Sequence, residues 1–115
     1  MKTLPATLIF ESLSSTIRLE VFRLLVKHNP DGLVAGDIAS TLQVSPTNLS
    51  FHLKNLTQAG LLSATQEGRY QRYRANMHVM LALITYLTEE CCAGHPEQCL
   101  ELSKTRVCTD NTTGN

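Results

Sequence analysis

Net charge is the first thing this chain lacks. Ten lysines and arginines are matched by ten aspartates and glutamates over 115 residues, which excludes a protein that coats nucleic acid by charge alone. Long hydrophobic runs are missing too. No stretch is apolar over the length a bilayer-spanning helix needs, so no membrane partner is expected. The first ten residues have no charged segment followed by a full apolar core, so no secretory leader is read there. A cytoplasmic location is the resulting expectation, with the four cysteines reduced. None of those cysteines has a basic cradle or a nearby proton donor in the sequence that would activate it, so an enzyme is not expected.

What is present is enough apolar side chain, 43%, for one domain with a modest core. One stretch carries a full set of helix signals: residues 42–62 read LQVSPTNLSFHLKNLTQAGLL. Ser45 can cap a helix through its hydroxyl, and Pro46 suits the first helical position because its missing N–H is not needed there. Gly60 can supply the left-handed residue at the far end. Leu49, Leu53 and Leu56, with Ala59 behind them, fall at helical spacing and define one buried stripe. At roughly 100° per residue, Thr47, Phe51, Lys54 and Gln58 project opposite it, flanked by Asn48, Ser50 and Asn55. Hydroxyls and amides can exchange hydrogen bonds with base edges, an apolar ring can meet a thymine methyl, and a lysine can reach a phosphate. A solvated face that merely keeps the domain soluble has the same composition, so the flanking elements have to decide.

Those elements favour DNA. Leu8, Ile9 and Leu13 predict a first helix over residues 4–14. Ser14-Ser15-Thr16 then caps a second over residues 16–27, with Ile17, Val21, Leu24 and Leu25 inward and Arg18, Glu20 and Arg23 mostly outward. Asn29-Pro30-Asp31-Gly32 is a turn signal, Leu33-Val34 a short strand, and Gly36-Asp37 the start of a third helix over residues 37–42. The third helix, the connection Gln43-Val44-Ser45 and the helix after it make a helix-turn-helix. Beyond Gly60 the period becomes extended. Residues 61–65 and 70–74 predict a β-hairpin, with the turn at Glu67-Gly68, that packs on the helices as a wing. Charge is sorted in the same sense: Arg69, Arg72 and Arg74 stand without an acid among them, whereas residues 89–110 hold five acids against Lys104 and Arg106. The bland alternative for these arginines is protection of a strand edge. Asn76 can cap a last helix over residues 77 to about 92, whose stripe of Met77, Met80, Leu81, Ile84 and Leu87, widened by Val79 and Leu83, is too apolar for the surface of a small monomer. A second protomer is its expected cover, supplying a second DNA half-site, although the first helix of the same chain can cover part of it. The expected architecture is mainly α with a β-hairpin wing, a winged helix-turn-helix dimerising through its terminal helices. Residues 1–107 form the domain, and residues 108–115 a disordered polar tail.

The runs Ser12-Leu13-Ser14, Arg18-Leu19-Glu20-Val21, Asp37-Ile38-Ala39, His52-Leu53-Lys54-Asn55-Leu56 with Ala59-Gly60-Leu61-Leu62, and Gly68-Arg69 with Tyr73-Arg74 resemble the ArsR-type (ArsR/SmtB) metalloregulatory repressors over about residues 8–90. The resemblance implies a homodimeric repressor on double-stranded operator DNA that leaves when an inducer binds. It also gives Ser50 and His52 a part in positioning the recognition helix. His52 lies beside the buried stripe, where a structural histidine and a base contact both remain open. The candidate DNA-binding residues are Thr47, Asn48, Ser50, Phe51, His52 and Lys54 on the helix and Arg69, Gln71 and Arg72 on the wing.

Two departures from that family direct attention elsewhere. The third helix has no cysteine, since residues 33–38 read LVAGDI. The zinc-type set on the last helix is reduced to Asn76, His78, Glu89 and Cys92, with a neutral amide where an acid is wanted, so neither site is carried over. Instead residues 91–99 read CCAGHPEQC. Adjacent cysteines make a strained disulfide, but both can bind one soft ion if the helix frays toward Gly94. Cys99 lies at most roughly 25 Å along the chain and folds back easily. Three thiolates, Cys91, Cys92 and Cys99, suit pyramidal trivalent arsenic. Zinc would want a fourth donor such as His95, Glu89 or Cys108. The expected cofactor is therefore As(III) as inducer, with Sb(III) or an organoarsenical as further candidates, on a repressor of an arsenic-resistance operon. Peroxide or persulfide sensing through the same cysteines, a zinc response, a winged-helix protein-interaction module, and buried cysteines acting as small hydrophobes are the competing readings.

Overall fold

The computed structural model describes residues 1–89. Its elements in order are α1 (Thr3–Leu13), α2 (Thr16–Lys27), β1 (Leu33–Val34), α3 (Ala35–Leu42), α4 (Pro46–Gln58), β2 (Leu62–Glu67), β3 (Tyr70–Ala75) and α5 (Met77–Thr88). Met1–Leu83 make one compact unit, and the end of α5 belongs to a second.

Side-chain capping explains where α2 and α4 begin. The Ser15 hydroxyl accepts from the Arg18 N–H at the start of α2, and Ser45 does the same for Asn48 at α4, with Pro46 just inside. The third helix begins at Ala35, two residues ahead of the expected start at Asp37, because Val34 leaves the sheet in an extended conformation and the chain turns helical at once, with no side-chain cap. Gln43 closes α3 in the left-handed conformation (φ 56) and returns its N–H to Ser40, while the Val44 N–H reaches Ala39.

The core lies in the first unit. Ile9 of α1, Val21 and Leu25 of α2, Ile38 of α3, and Leu49 and Leu56 of α4 are almost completely buried, as is Leu61 after α4. Each such side chain contributes about 1.5–3 kcal/mol relative to exposure, so α4 is held by its leucine stripe. In α1 the buried face is Ala6, Ile9 and Ser12, and Leu8, expected inward, is half exposed. The phase of α1 is thus turned by about one residue from the aliphatic pattern, because a serine and an alanine occupy its inner face.

The sheet has three antiparallel strands in the order β1-β3-β2. Leu33 pairs with Tyr73 and Val34 with Arg72 on one side of β3, and residues 62–67 pair with residues 75–70 on the other. The hairpin turn is Gly68-Arg69, one residue later than Glu67-Gly68. Gly68 takes φ 62 at the first central position, as a type II′ turn requires. Glu67 is thereby released into β2, opposite Tyr70. Gly32 (φ 75) passes so close to β3 that a Cβ there would collide with the carbonyl oxygen of Tyr73 and lie 2.7 Å from Arg74 Cγ. Among the described residues, no helix is long and apolar enough to cross a membrane.

Candidate nucleic-acid interface

The leucine stripe of α4 faces the core, so its opposite side must face outward. Thr47, Asn48, Ser50, Lys54, Asn55 and Gln58 are all exposed, and Phe51 is 70% exposed despite being an apolar ring. An aromatic ring held in water beside small polar side chains has no packing role in this unit. Lys54 makes no hydrogen bond or ion pair among the described residues. This face presents hydroxyl, amide, ring and cation on one helix, the complement of groups that can address the floor and walls of a major groove.

His52 departs from that face. It is half-buried, and its Nδ1 stands 3.4 Å from Nη1 of Arg18 on α2. The guanidinium has only donors, so a hydrogen bond at this contact is one that Nδ1 accepts. Arg18, expected mostly outward, is half-buried, and its Nε donates to the Ser12 carbonyl at 2.6 Å. No sequence signal marked this, because an arginine at the edge of an amphipathic stripe reads the same whether it reaches solvent or a carbonyl.

The wing arginines divide in the same way. Arg69 occupies the hairpin tip, exposed and without a partner among the described residues. Arg72 is engaged: its Nε donates to both carboxylate oxygens of Glu67 at 3.0 Å, and its Nη1 reaches the Gly32 carbonyl at 3.3 Å. Arg74 donates to the Pro30 carbonyl (3.2 Å) and to the Thr65 hydroxyl (3.1 Å), so it staples the turn before β1 to the sheet. Gln71 is exposed and sits opposite Gln66. The Asn76 amide donates to the Gly60 carbonyl (3.1 Å), tying the start of α5 to the end of α4.

Cys91, Cys92, Cys99 and Cys108 lie outside the described residues, as does the 108–115 tail. Among the described residues, no three histidines, cysteines, aspartates or glutamates cluster to hold a metal.

Residues 13–63 match a family described as a helix-turn-helix domain. No curated relative matches the chain by sequence. Solved structures do match its fold. An ArsR-like transcriptional regulator from Rhodococcus sp. RHA1 is 24% identical with a TM-score of 0.66, the match covering 88% of this chain and 92% of that one. Reduced HlyU from Vibrio cholerae is 25% identical with a TM-score of 0.61, covering 77% of this chain and 90% of that one. The homodimeric winged helix-turn-helix DNA-binding domain of a possible ArsR-family transcriptional regulator from Mycobacterium bovis is 24% identical with a TM-score of 0.59, covering 79% and 84%. The fold of this chain is a winged helix-turn-helix: α3 and α4 form the helix pair, and β2 and β3 the wing.

Proposed function

We propose that this chain is a homodimeric, DNA-binding transcriptional repressor of the ArsR type, released from its operator by trivalent arsenic. The observation that carries the DNA reading is the exposed polar face of α4, with Phe51 in water and Lys54 unpaired among the described residues, followed by a wing whose tip is Arg69. In this reading α4 enters the major groove. Thr47, Asn48, Ser50 and Phe51 meet base edges, and Lys54 and Arg69 meet phosphates. His52, Gln71 and Arg72 stand at the margin of the contact.

The dimer is supported by apolar side chains that the first unit leaves in water: Leu4 (71% exposed), Leu8 and Phe10 on α1, and Leu81 on α5. A second copy covering them would place two recognition helices on one face of the duplex, and the Mycobacterium bovis domain is itself described as homodimeric. The inducer reading rests on the sequence. Cys91, Cys92 and Cys99 supply three thiolates with no obligatory fourth ligand, and As(III) accepts three. Binding favours release only insofar as the chelated form fits DNA less well than the open one. A coupling of about 1–3 kcal/mol lowers operator affinity about 5- to 150-fold.

The test is a parallel titration. DNA enriched from a random library by the protein is bound, then challenged with arsenite, zinc and peroxide, and release is followed by fluorescence anisotropy. Release by arsenite at the lowest equivalents is expected. Release by peroxide alone would assign the cysteines to thiol oxidation, and absence of any selected DNA would remove the repressor reading altogether.

A further inference from the structure

Ser12 is the one buried polar residue among the described residues, 3% exposed on the inner face of α1. Its Oγ donates to Oδ1 of Asn55 on α4 at 2.6 Å, and its carbonyl accepts from Arg18 Nε at 2.6 Å. Arg18 also reaches Nδ1 of His52, three residues before Asn55 and so on the same side of α4. The last turn of α1 therefore grips the middle of α4 at two neighbouring positions, one directly and one through Arg18. Next to this grip the two helices stand apart, leaving an open cleft of about 270 Å³ lined by Leu8, Glu11, Ser12, Asn55, Gln58 and Ala59. On this flank the Ser12–Asn55 hydrogen bond joins the two helices at the edge of the cleft, next to the buried Ala6 and Ile9 on the same face of α1. A hydrogen bond is directional and short, whereas an apolar contact allows sliding. Ser12 is too buried to touch DNA, and Asn55 is exposed but has its acceptor oxygen engaged by the Ser12 hydroxyl.

We propose that Ser12 and Asn55 are positioning residues for DNA recognition: their hydrogen bond sets where the reading face of α4 stands relative to α1, and it transmits a displacement of α1 to the recognition helix. The inference rests on the DNA-binding reading above and names a route by which an event at the terminal helices reaches the groove. Because the bond lies inside the protein, its loss alters how base edges are met without removing a phosphate contact.

The experiment uses the full chain, a duplex enriched from a random library by the parent protein, and a scrambled duplex of equal composition. Ser12→Ala, Asn55→Ala and the double variant are compared for the ratio of the two affinities, for the salt dependence of binding, and for the unfolding midpoint. A fourth variant, Ser12→Ala with Asn55→Leu, replaces both polar partners by apolar groups of similar shape and keeps the fold if a single truncation does not. Each single variant is expected to lower the enriched-to-scrambled ratio about tenfold, with the double variant no worse than either. The slope of log affinity against log salt should be unchanged. The apolar pair should unfold near the parental midpoint yet show the same loss of discrimination. A parental ratio in Ser12→Ala or in the apolar pair, or a ratio lost only in Asn55 variants, would overturn the proposal, the latter making Asn55 a direct base contact. Failure of the parent itself to prefer the enriched duplex would fell the DNA reading, and this proposal with it, and is distinguished by being seen before any substitution.

Discussion

Two glycines five residues or fewer from the same short strand have opposite expectations. Gly32 holds φ 75 against the backbone of β3, where a methyl group would strike a carbonyl oxygen that cannot move without breaking the sheet. Gly32→Ala should therefore destabilise by at least about 1–3 kcal/mol, the range for a non-glycine residue held left-handed. Gly36 lies inside the first turn of α3, and a Cβ there meets nothing within 4 Å. Gly36→Ala should stabilise by about 0.5 kcal/mol through the loss of unfolded-state freedom. Urea unfolding of both variants checks the pair, and a similar midpoint shift in both would contradict the geometry. The turn signal at residues 29–32 was legible in the sequence. The close approach of Gly32 to Tyr73 was not, because it depends on a strand forty residues away.

At the level of elements, α4 was readable almost to the residue, since its cap, its proline and its leucine period all state the same answer. The wing was readable as a hairpin but not in its turn, and the shift by one residue separates Arg69 from Arg72 in role. Arg69→Ala should weaken binding to every duplex and reduce the salt slope by about one, as the loss of a single phosphate contact does. Arg72→Ala should act less on DNA. It removes a partly exposed ion pair with Glu67, worth no more than about 1 kcal/mol to the sheet. Asn48→Ala or Ser50→Ala should leave the salt slope alone and cost about 1–3 kcal/mol of discrimination between enriched and scrambled DNA. Wing variants that change sequence preference while helix variants do not would reverse the assignment of the two elements. Of the positively charged residues, only distance could sort the free from the engaged. Arg18, Arg72 and Arg74 are tied to carbonyls, a hydroxyl, a ring nitrogen or a carboxylate that no local pattern announces.

At the level of the whole molecule, the exposed Leu4, Leu8 and Leu81 are the surface that the proposed dimer would cover. Sedimentation at micromolar concentration should give twice the chain mass of 12.7 kDa, whereas a monomer that binds DNA with full affinity would contradict the arrangement. Serine in place of Cys91, Cys92 or Cys99 should leave DNA binding without inducer intact and abolish or strongly weaken arsenite release, with Cys108→Ser behaving as the parent. A full response in Cys99→Ser would reduce the site to two sulfurs, a fit for a methylated arsenical. Exposed apolar surface was legible on α5, where Leu81 is 44% exposed. The face of α1 was not, because Ser12 is buried for its hydrogen bond rather than for its hydropathy. The strand order β1-β3-β2 carries a consequence for proton exchange. Arg72 and Tyr73 have a partner strand on each side, so their amides have no open edge toward water. Along β2 every second N–H faces away from β3, so alternate amides lack a ladder partner there. A deuterium map of the free protein should accordingly show fast and slow amides alternating through Leu62–Glu67, beside unbroken retention at Arg72 and Tyr73.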